Sequence, residues 1–526
     1  MVKVLISDKM DPLAEQIFKE RGVDVDFKPG MTPDELKVCI GEYDGLAIRS
    51  STKVTPDVLE AATNLKVIGR AGIGTDNIDK EAATANGVVV MNTPFGNSIT
   101  TAEHAIAMMM ACARQIPMAN ESTHAGKWEK SKFMGVEVFG KTLGLIGSGN
   151  IGSIVADRAQ GLKMKVISFD PFLSEERAKE LNIEKVELDD LLARADFITM
   201  HTPLTDSTRN LINKDAISKM KDGVRIINCA RGGIINEADL KEGLESGKVA
   251  AAALDVFEVE PAKENALFNM DNVVCTPHLG ASTTEAQVNV AIQVAEQLSD
   301  YLLTGAVTNA LNIPSVSAED APKLRPYMSL AEQLGSFAGQ VTESGLKAIR
   351  VEFEGHVASL NTQPLLQAVL AGLLRPFSDS VNMVNAPSIA RDRSIEVSEV
   401  KHDRPCDYQT LIRLVVTTEK FERTVSGTLF GGQKPRVVEV KGIEIEAELT
   451  EHMLYITNED KPGMIGQLGQ TLGNVDANIA TFHLGRAEEG GEAIALLQLD
   501  SPLDDDCMAL IQAIPHVKQA KLLSFK

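Results

Sequence analysis

The chain is short of basic charge. Against 73 Asp and Glu it sets 52 Lys and Arg, a formal net charge of -21 over 526 residues. Such a field repels nucleic acid and anionic lipid, so an anionic ligand needs a local cluster of cations. Cysteine is sparse as well. Cys39, Cys112, Cys229, Cys275, Cys406 and Cys507 are scattered, none in a C-x-x-C pair and most in apolar runs. They read as free, buried thiols of a reducing compartment. Long apolar runs are missing: the best candidate, AIAMMMACA, falls far below the roughly 20 residues of a membrane span. The opening MVKVLISDKM is a charged, strand-like run and not a secretory leader. The expectation is a cytoplasmic globular protein.

What is present is ordinary in bulk, 44% apolar and 24% charged residues, but the length exceeds one core. A prior of about 150 residues per domain gives roughly three or four. Residues 1–97 alternate short apolar runs (KVLIS, DVDF, GLAIRS, LKVIGRAG, GVVVMN) with amphipathic stretches. That predicts a parallel sheet covered by helices. Residues 100–114 then read as a long buried helix. A second series follows from Lys141: TLGLIG, KVISFD, FITMHTP, RIINCARGG, AAALDV and NVVCTP, the six strands of a dinucleotide domain. Residues 284–303 form an amphipathic helix that returns the chain to its first domain. SVSAEDAPKLRP, with Pro314 just before it and Pro322 and Pro326 within it, reads as a linker. Residues 327–450 are mixed helix and strand without a catalytic constellation. From His452 onward the order is βαββαβ, ferredoxin-like. The predicted fold is α/β: a substrate-binding domain (1–97 and 284–312), a doubly wound domain (98–283), an α+β intervening domain (313–450) and a ferredoxin-like domain (451–526).

GLIGSGNIG places Gly147-x-Gly149-x-x-Gly152 directly after a strand and at the start of a helix. The first glycine permits the turn, the second lets a diphosphate approach, and the third lets helix pack on strand, with the diphosphate at the positive helix end. Asp170 ends the next strand, 18 residues past Gly152 (170 − 152), where an acid about 20 residues on accepts from ribose hydroxyls. An acid there repels a 2′-phosphate, and Pro171, Phe172 and Leu173 offer no cation, so NAD is favoured over NADP.

Arg231, Glu260 and His278 each end an apolar run that follows this fingerprint. An imidazole moves a proton near neutral pH, a carboxylate orients it and stabilises its cation, and a guanidinium binds a carboxylate bidentately. Together they suit hydride transfer on a 2-oxo or 2-hydroxy acid. His201, also at a strand end, competes on spacing alone.

GLIGSGNIG, HTPLT, NCARGGIINE, LDVFEVEP and HLGAST resemble the D-isomer-specific 2-hydroxyacid dehydrogenases, a resemblance spanning residues 1–312. It implies that Arg231 binds the substrate carboxylate and carbonyl, that Glu260 partners the histidine and that His278 is the acid/base. It further implies that Gly147, Gly149, Asn150, Ile151, Gly152, Asp170, Thr202, Pro203, Cys229, Ala230, Asp255, Gly280 and Ala281 line the cofactor, and it demotes His201 to that shell. Asn150 departs from the arginine common at its position, which changes one diphosphate contact. GRAGIGTDNID, NTPFGNSITTAEH and WEKSKFMG are similar to the members that oxidise 3-phosphoglycerate. They imply substrate contacts from Arg49, Ser50, Arg70, Gly72 and Asn97, and from Lys130 or Lys132 of a partner subunit. The C-terminal unit resembles an ACT module, with DxPGxI at Asp460, Pro462, Gly463 and Ile465. This implies L-serine as effector on Asn458, Asp460 and Asn478, and a homotetramer. HDRPCDYQTLIR and GTLFGGQKPRVVEVKG look like the intervening domain of the longer dehydrogenases. Another D-2-hydroxy acid, such as glycerate or 2-hydroxyglutarate, and a non-catalytic NAD-sensing protein are the alternatives.

Overall fold

The computed structural model describes residues 2–317, 319–378, 380–402 and 407–525. Cys406 and the middle of HDRPCDYQTLIR lie outside them. The chain forms two compact units: residues 1–70, 74–92 and 294–526, and residues 71–73 and 93–293.

In the first unit, strands Lys3–Ile6, Asp24–Phe27, Gly45–Ile48, Val67–Arg70 and Val89–Asn92 make a parallel sheet in order 2-1-3-4-5. Gly45–Ile48 and Val89–Asn92 are buried at every residue, the signature of a sheet covered on both faces. Helix starts are written into the sequence: Asp11 and Thr32 cap helices that carry proline in the first turn, and Thr32 and Glu35 close a capping box. The register sets Arg70 beside Ile48, so Arg49 and Arg70 leave adjacent strands at the same carboxyl edge.

The same unit holds a six-stranded mixed sheet between Leu346 and Ala447, and a four-stranded antiparallel sheet. The latter orders Met453–Glu459, Ile479–Arg486, Glu492–Leu499 and Val517–Leu523 as 2-3-1-4, with helices Met464–Asn474 and Asp505–Gln512 between them: the expected βαββαβ. The linker reading is overturned from Ala321 onward. Residues from Ala321 onward are helix, Ala321–Gln340, with Pro322 in the first turn and Pro326 inside. A proline in the first turn forfeits no intrahelical bond, and buried Ala321 and Leu324 anchor that end. Phe337 on this helix meets Tyr455 edge-on at 5.4 Å and stacks on Phe525 at 6.5 Å. One core therefore runs under both C-terminal sheets.

The second unit is a parallel sheet of seven strands among the described residues. In spatial order they are Val273–Cys275, Val249–Leu254, Val224–Asn228, Phe197–Met200, Thr142–Ile146, Lys165–Phe169 and Glu184–Lys185. Six were expected. Glu184–Lys185 has two exposed, charged residues and no apolar signal to reveal it. Chain order reverses between Thr142–Ile146 and Phe197–Met200, the switch point where such sheets bind ligands.

Helix Ala321–Gln340 crosses Gln363–Leu374 backbone to backbone: a β-carbon on Gly335 would lie 2.1 Å from the Val369 carbonyl oxygen. Gly335→Ala should force the pair apart and cost about 1–3 kcal/mol. The readout is a lower urea midpoint by circular dichroism, and an unchanged midpoint would contradict this packing.

Candidate active site

At the switch point Gly147 follows the strand with φ 91°, and its N–H donates to the Phe169 carbonyl at 3.0 Å. A β-carbon on Gly152 would stand 2.1 Å from the Gly147 oxygen, so only glycine lets the helix sit on the turn. Gly149 caps helix Asn150–Gly161 without a side-chain hydrogen bond, and a β-carbon there would meet open space. The N–H groups of the first turn, including those of Asn150, Ile151 and Gly152, have no intrahelical acceptor. Unpaired N–H groups at a helix start, with open space at Gly149, can hold a diphosphate. Asp170 accepts the N–H and Oγ of Ser148 at 2.8 and 3.0 Å on Oδ2, and the Phe172 N–H at 2.9 Å on Oδ1. It thus braces the glycine turn, and a carboxylate with two lone pairs per oxygen keeps capacity for hydroxyl donors.

Arg231, Glu260 and His278 come from three loops at the carboxyl edge of the same sheet. Asn228 ties the first loop: its amide nitrogen donates to the Arg231 carbonyl at 2.9 Å, and its amide oxygen accepts the Ala230 N–H at 3.0 Å. A β-carbon on Gly232 would fall 1.8 Å from the Phe257 carbonyl oxygen, so this loop touches the next one backbone to backbone. Arg231 Nη1 donates to the Ala230 carbonyl at 2.7 Å. Glu260 Oε2 lies 2.7 Å from His278 Nδ1, and Oε1 accepts the Phe257 N–H at 3.0 Å. Burial works to raise the Glu260 carboxyl, but the His278 ring and the Phe257 N–H outweigh it and hold the group below the usual carboxylate range. His278 itself adopts a left-handed backbone, φ 55°.

Asp255, which the resemblance places beside the cofactor, is surrounded by donors of the protein. Its side chain is 0% exposed and its oxygens turn inward. Oδ1 accepts the Thr276 hydroxyl at 2.6 Å and the Leu279 N–H at 2.7 Å; Oδ2 accepts the Gly280 N–H at 2.9 Å. His104, on helix Ser98–Arg114, brings Nε2 to 3.2 Å from Oδ1. Sequence reading passed over both His104 and Thr276. The available signal was a histidine on a helix face shared with Thr101 and Met108, both buried. Cys229 is buried in this neighbourhood, and burial drives its thiol far up, with Asp255 adding to the effect.

At the end of strand Phe197–Met200, His201 is part-buried, and the loss of water around its imidazole pushes it down to about 4, which keeps it neutral and unsuited to acid/base work at neutral pH. Its Nδ1 and the Thr202 hydroxyl are buried without a partner in the protein. Both lie against Gly147, whose β-carbon would come within 2.7 Å of the His201 carbonyl and Thr202 Cγ2. Orphaned polar atoms beside the glycine turn fit a nucleotide. Pro203 is exposed next to them, Ala230 and Ala281 are part-buried, and Gly280 is buried against Asp255.

The remaining substrate candidates divide between the units. Arg49 donates its N–H to Asp8 at 2.6 Å and Nη1 to the Lys9 carbonyl at 3.1 Å. Burial draws its guanidinium below its usual value, Asp8 opposing, and it stays a cation. Ser50 is exposed beside it, and Arg70 ends the neighbouring strand. In the second unit Gly72 donates to Thr93 Oγ1 at 2.7 Å, and Asn97 caps helix Ser98–Arg114 with its Oδ1 buried and without a partner. Lys130 and Lys132 are exposed, and Lys132 lines a cavity of about 500 Å³ with Lys127 and Arg225. Of the effector candidates, Asn458 is buried with Oδ1 unsatisfied, Asp460 pairs with Arg486 at 2.8 Å, and Asn478 donates to Asp500 at 2.7 Å.

Comparison with known proteins gives the class first. The family described as D-isomer specific 2-hydroxyacid dehydrogenase, NAD binding domain, matches residues 106–280. The solved D-lactate dehydrogenase of Escherichia coli aligns with TM-score 0.53 and 30% identity, covering 59% of this chain and 100% of that one. A glyoxylate reductase from Paecilomyes thermophila aligns with TM-score 0.55 and 30% identity, covering 59% and 98%. The second unit is thus the NAD-binding part of a dehydrogenase. The D-3-phosphoglycerate dehydrogenase intervening domain matches residues 323–441. The D-3-phosphoglycerate dehydrogenase of Bacillus subtilis is 44% identical over 529 residues, 99% of each chain, and that of Methanocaldococcus jannaschii is 42% identical over 526 residues, 100% of each. The chain belongs to the D-3-phosphoglycerate dehydrogenase family.

Two titrations follow. The His201 imidazole should show no protonation step across about pH 5 to 8 in nitrogen NMR, and a step in that window would restore it as a rival base. The depressed Glu260 carboxyl stays ionised above the ordinary carboxylate range. Its support of the folded loop should be complete there and lost only as pH falls through the lower folded-state value, a loss absent from Glu260→Gln in acid-unfolding curves.

Proposed function

We propose that this chain oxidises 3-phosphoglycerate at C2, yielding 3-phosphonooxypyruvate, the first step toward L-serine. The observation that carries the reading is the 2.7 Å bond between His278 Nδ1 and Glu260 Oε2. A carboxylate on one ring nitrogen fixes the tautomer and leaves Nε2 as an acceptor. Nε2 of His278 takes the C2 hydroxyl proton, and Glu260 stabilises the imidazolium that forms. Arg231 binds the substrate carboxylate through its planar fork and polarises the neighbouring carbonyl as it develops. NAD, when bound, supplies the acceptor for the hydride that leaves C2. Gly147, Gly149, Asn150, Ile151 and Gly152 would hold its diphosphate and Asp170 its adenosine ribose, with Thr202, Pro203, Cys229, Ala230, Gly280 and Ala281 around it. Asp255 acts on the loop of His278. Arg49, Ser50, Arg70, Gly72 and Asn97 are assigned to substrate contacts, the two arginines to its phosphate, with Lys130 or Lys132 coming from a second subunit of a homotetramer.

His278→Ala should lower kcat by about 10²- to 10⁴-fold with the Kd for NAD unchanged, measured by NADH formation and fluorescence titration. Near-normal turnover would remove the assignment. Equal turnover of glycerate and 3-phosphoglycerate would move the substrate to an unphosphorylated acid, and no NADH from any hydroxy acid would leave an NAD-sensing protein.

The ferredoxin-like unit supports a regulatory reading, with L-serine on Asn458, Asp460 and Asn478 of a cytoplasmic enzyme. The Arg486 guanidinium and the Gly490 N–H hold the Asp460 carboxyl below its usual value; both donate to Oδ2, which leaves Oδ1 as the acceptor for an ammonium. Calorimetry should detect L-serine binding to the full chain and lose it in Asp460→Ala. Absence of heat in the unmodified protein would end this part of the proposal.

A further inference from the structure

Glu260 is one support of the His278 ring; the backbone beneath it is the other. His278 holds φ 55°, a conformation that a side chain with a β-carbon seldom adopts unless its surroundings impose it. Its own N–H donates to the Asp255 carbonyl at 2.9 Å. The next two N–H groups, Leu279 and Gly280, donate to the two carboxylate oxygens of Asp255 at 2.7 and 2.9 Å. Residues 278–280 are therefore fastened to one buried acid. A buried carboxylate persists only while donors surround it. Beyond the backbone these are the Thr276 hydroxyl at 2.6 Å and His104 Nε2 at 3.2 Å. Thr276 belongs to the loop being held. His104 belongs to helix Ser98–Arg114 and brings the one side-chain donor in this set from another element. The same Nε2 lies 3.3 Å from the Thr276 hydroxyl, whose proton goes to Asp255, so with two acceptor oxygens facing it His104 is assigned the tautomer that carries its proton on Nε2. The buried Cys229 thiol in the same cluster is too weakly acidic and too weak a donor to replace it.

We propose that His104 is a positioning residue of the reaction: its Nε2, 3.2 Å from Asp255 Oδ1 and hydrogen-bonded to the Thr276 hydroxyl at 3.3 Å, keeps residues 278–280 in the conformation that aims the His278 imidazole. The inference rests on the reading of His278 as the base. The titratable groups around Asp255 are His104 from the helix, Cys229 from the preceding strand end, and Glu260 and His278 from the loops. Of the side-chain hydrogen bonds that hold the Asp255 carboxyl low against its burial, that from His104 is the largest. A depressed carboxyl keeps the loop fastened above its folded-state value and releases it as pH falls through that value. Removing His104 raises the value, so the acid-side release of the loop moves to higher pH.

The full chain is compared as wild type, His104→Ala and His104→Gln. In His104→Ala, kcat should fall about 10- to 100-fold, the loss expected for a hydrogen bond in a charged network, with KM for NAD nearly unchanged. The amide of His104→Gln can donate to Asp255 and should restore most of kcat. Hydrogen exchange at the Leu279 and Gly280 amides should rise in the alanine variant and return in the glutamine variant, independently of turnover. Wild-type kcat in His104→Ala, or exchange at these amides that does not respond to position 104, overturns the proposal. Absence of NADH from wild type with 3-phosphoglycerate overturns the functional reading instead, and the exchange measurement still decides the role of His104.

Discussion

Backbone touches backbone at the carboxyl edge of the dinucleotide sheet, and the candidate site depends on that contact. The loop carrying Arg231 lies so close to the loop carrying Glu260 that a β-carbon on Gly232 would sit 1.8 Å from the Phe257 oxygen. The glycine turn repeats the device, with Gly152 against Gly147. Close approach leaves no side-chain layer between the loops. Polar backbone groups there must find partners among themselves or in short side chains. Asn228 serves the Arg231 loop on both sides, and Asp255 serves the His278 loop with both oxygens. Chemistry that needs groups held within a fraction of an ångström is thereby placed on rigid sheet ends, not on free loops.

Electrostatics separates candidates that look alike in sequence. His201 and His278 both end strands in apolar runs. One imidazole is part-buried with no charge to sustain a proton and is pushed down to about 4 by desolvation; the other is half-exposed with a carboxylate at 2.7 Å. Asp170 and Asp255 also both follow strands. Asp170 is part-buried and keeps acceptor capacity, whereas Asp255 is fully buried and its hydrogen bonds all run inward. On a chain with a net charge of -21, Arg49 keeps its charge half-buried at a strand end, which costs desolvation and singles it out from surface lysines.

Strong periodic signals made most of the architecture legible. The five strands of the first sheet, six of the second and the closing βαββαβ unit are short apolar runs with turn residues between them, and each forms. Glu184–Lys185 was illegible because a two-residue edge strand buries nothing. The helix from Ala321 was hidden by its prolines: Pro322 falls in the first turn, where proline is tolerated, but Pro326 stands inside the helix, where proline ordinarily argues against one. At the site, the glycine fingerprint and the three charged residues could be read from spacing. The part of Asp255 could not, since whether a carboxylate faces ligand or core is decided by neighbours from other strands. His104 was invisible for the same reason: its partners lie more than 150 positions along the chain.

A change of texture in the sequence also differs from a break in the packing. Near residue 450 the pattern shifts from mixed sheet to βαββαβ, yet Phe337, Tyr455 and Phe525 join the two sheets in one core. Helix Ala321–Gln340 lies in that core and crosses its neighbour through Gly335, Gly339 and Gly372, each too close to carbonyl oxygens to bear a β-carbon. Interiors packed this tightly respond to a displaced element by shifting as a body, because local gaps forfeit contacts on both sides. A ligand that reoriented the strand bearing Asn458 would act directly on Tyr455, three residues away on the same strand, and so on the helix beneath both sheets.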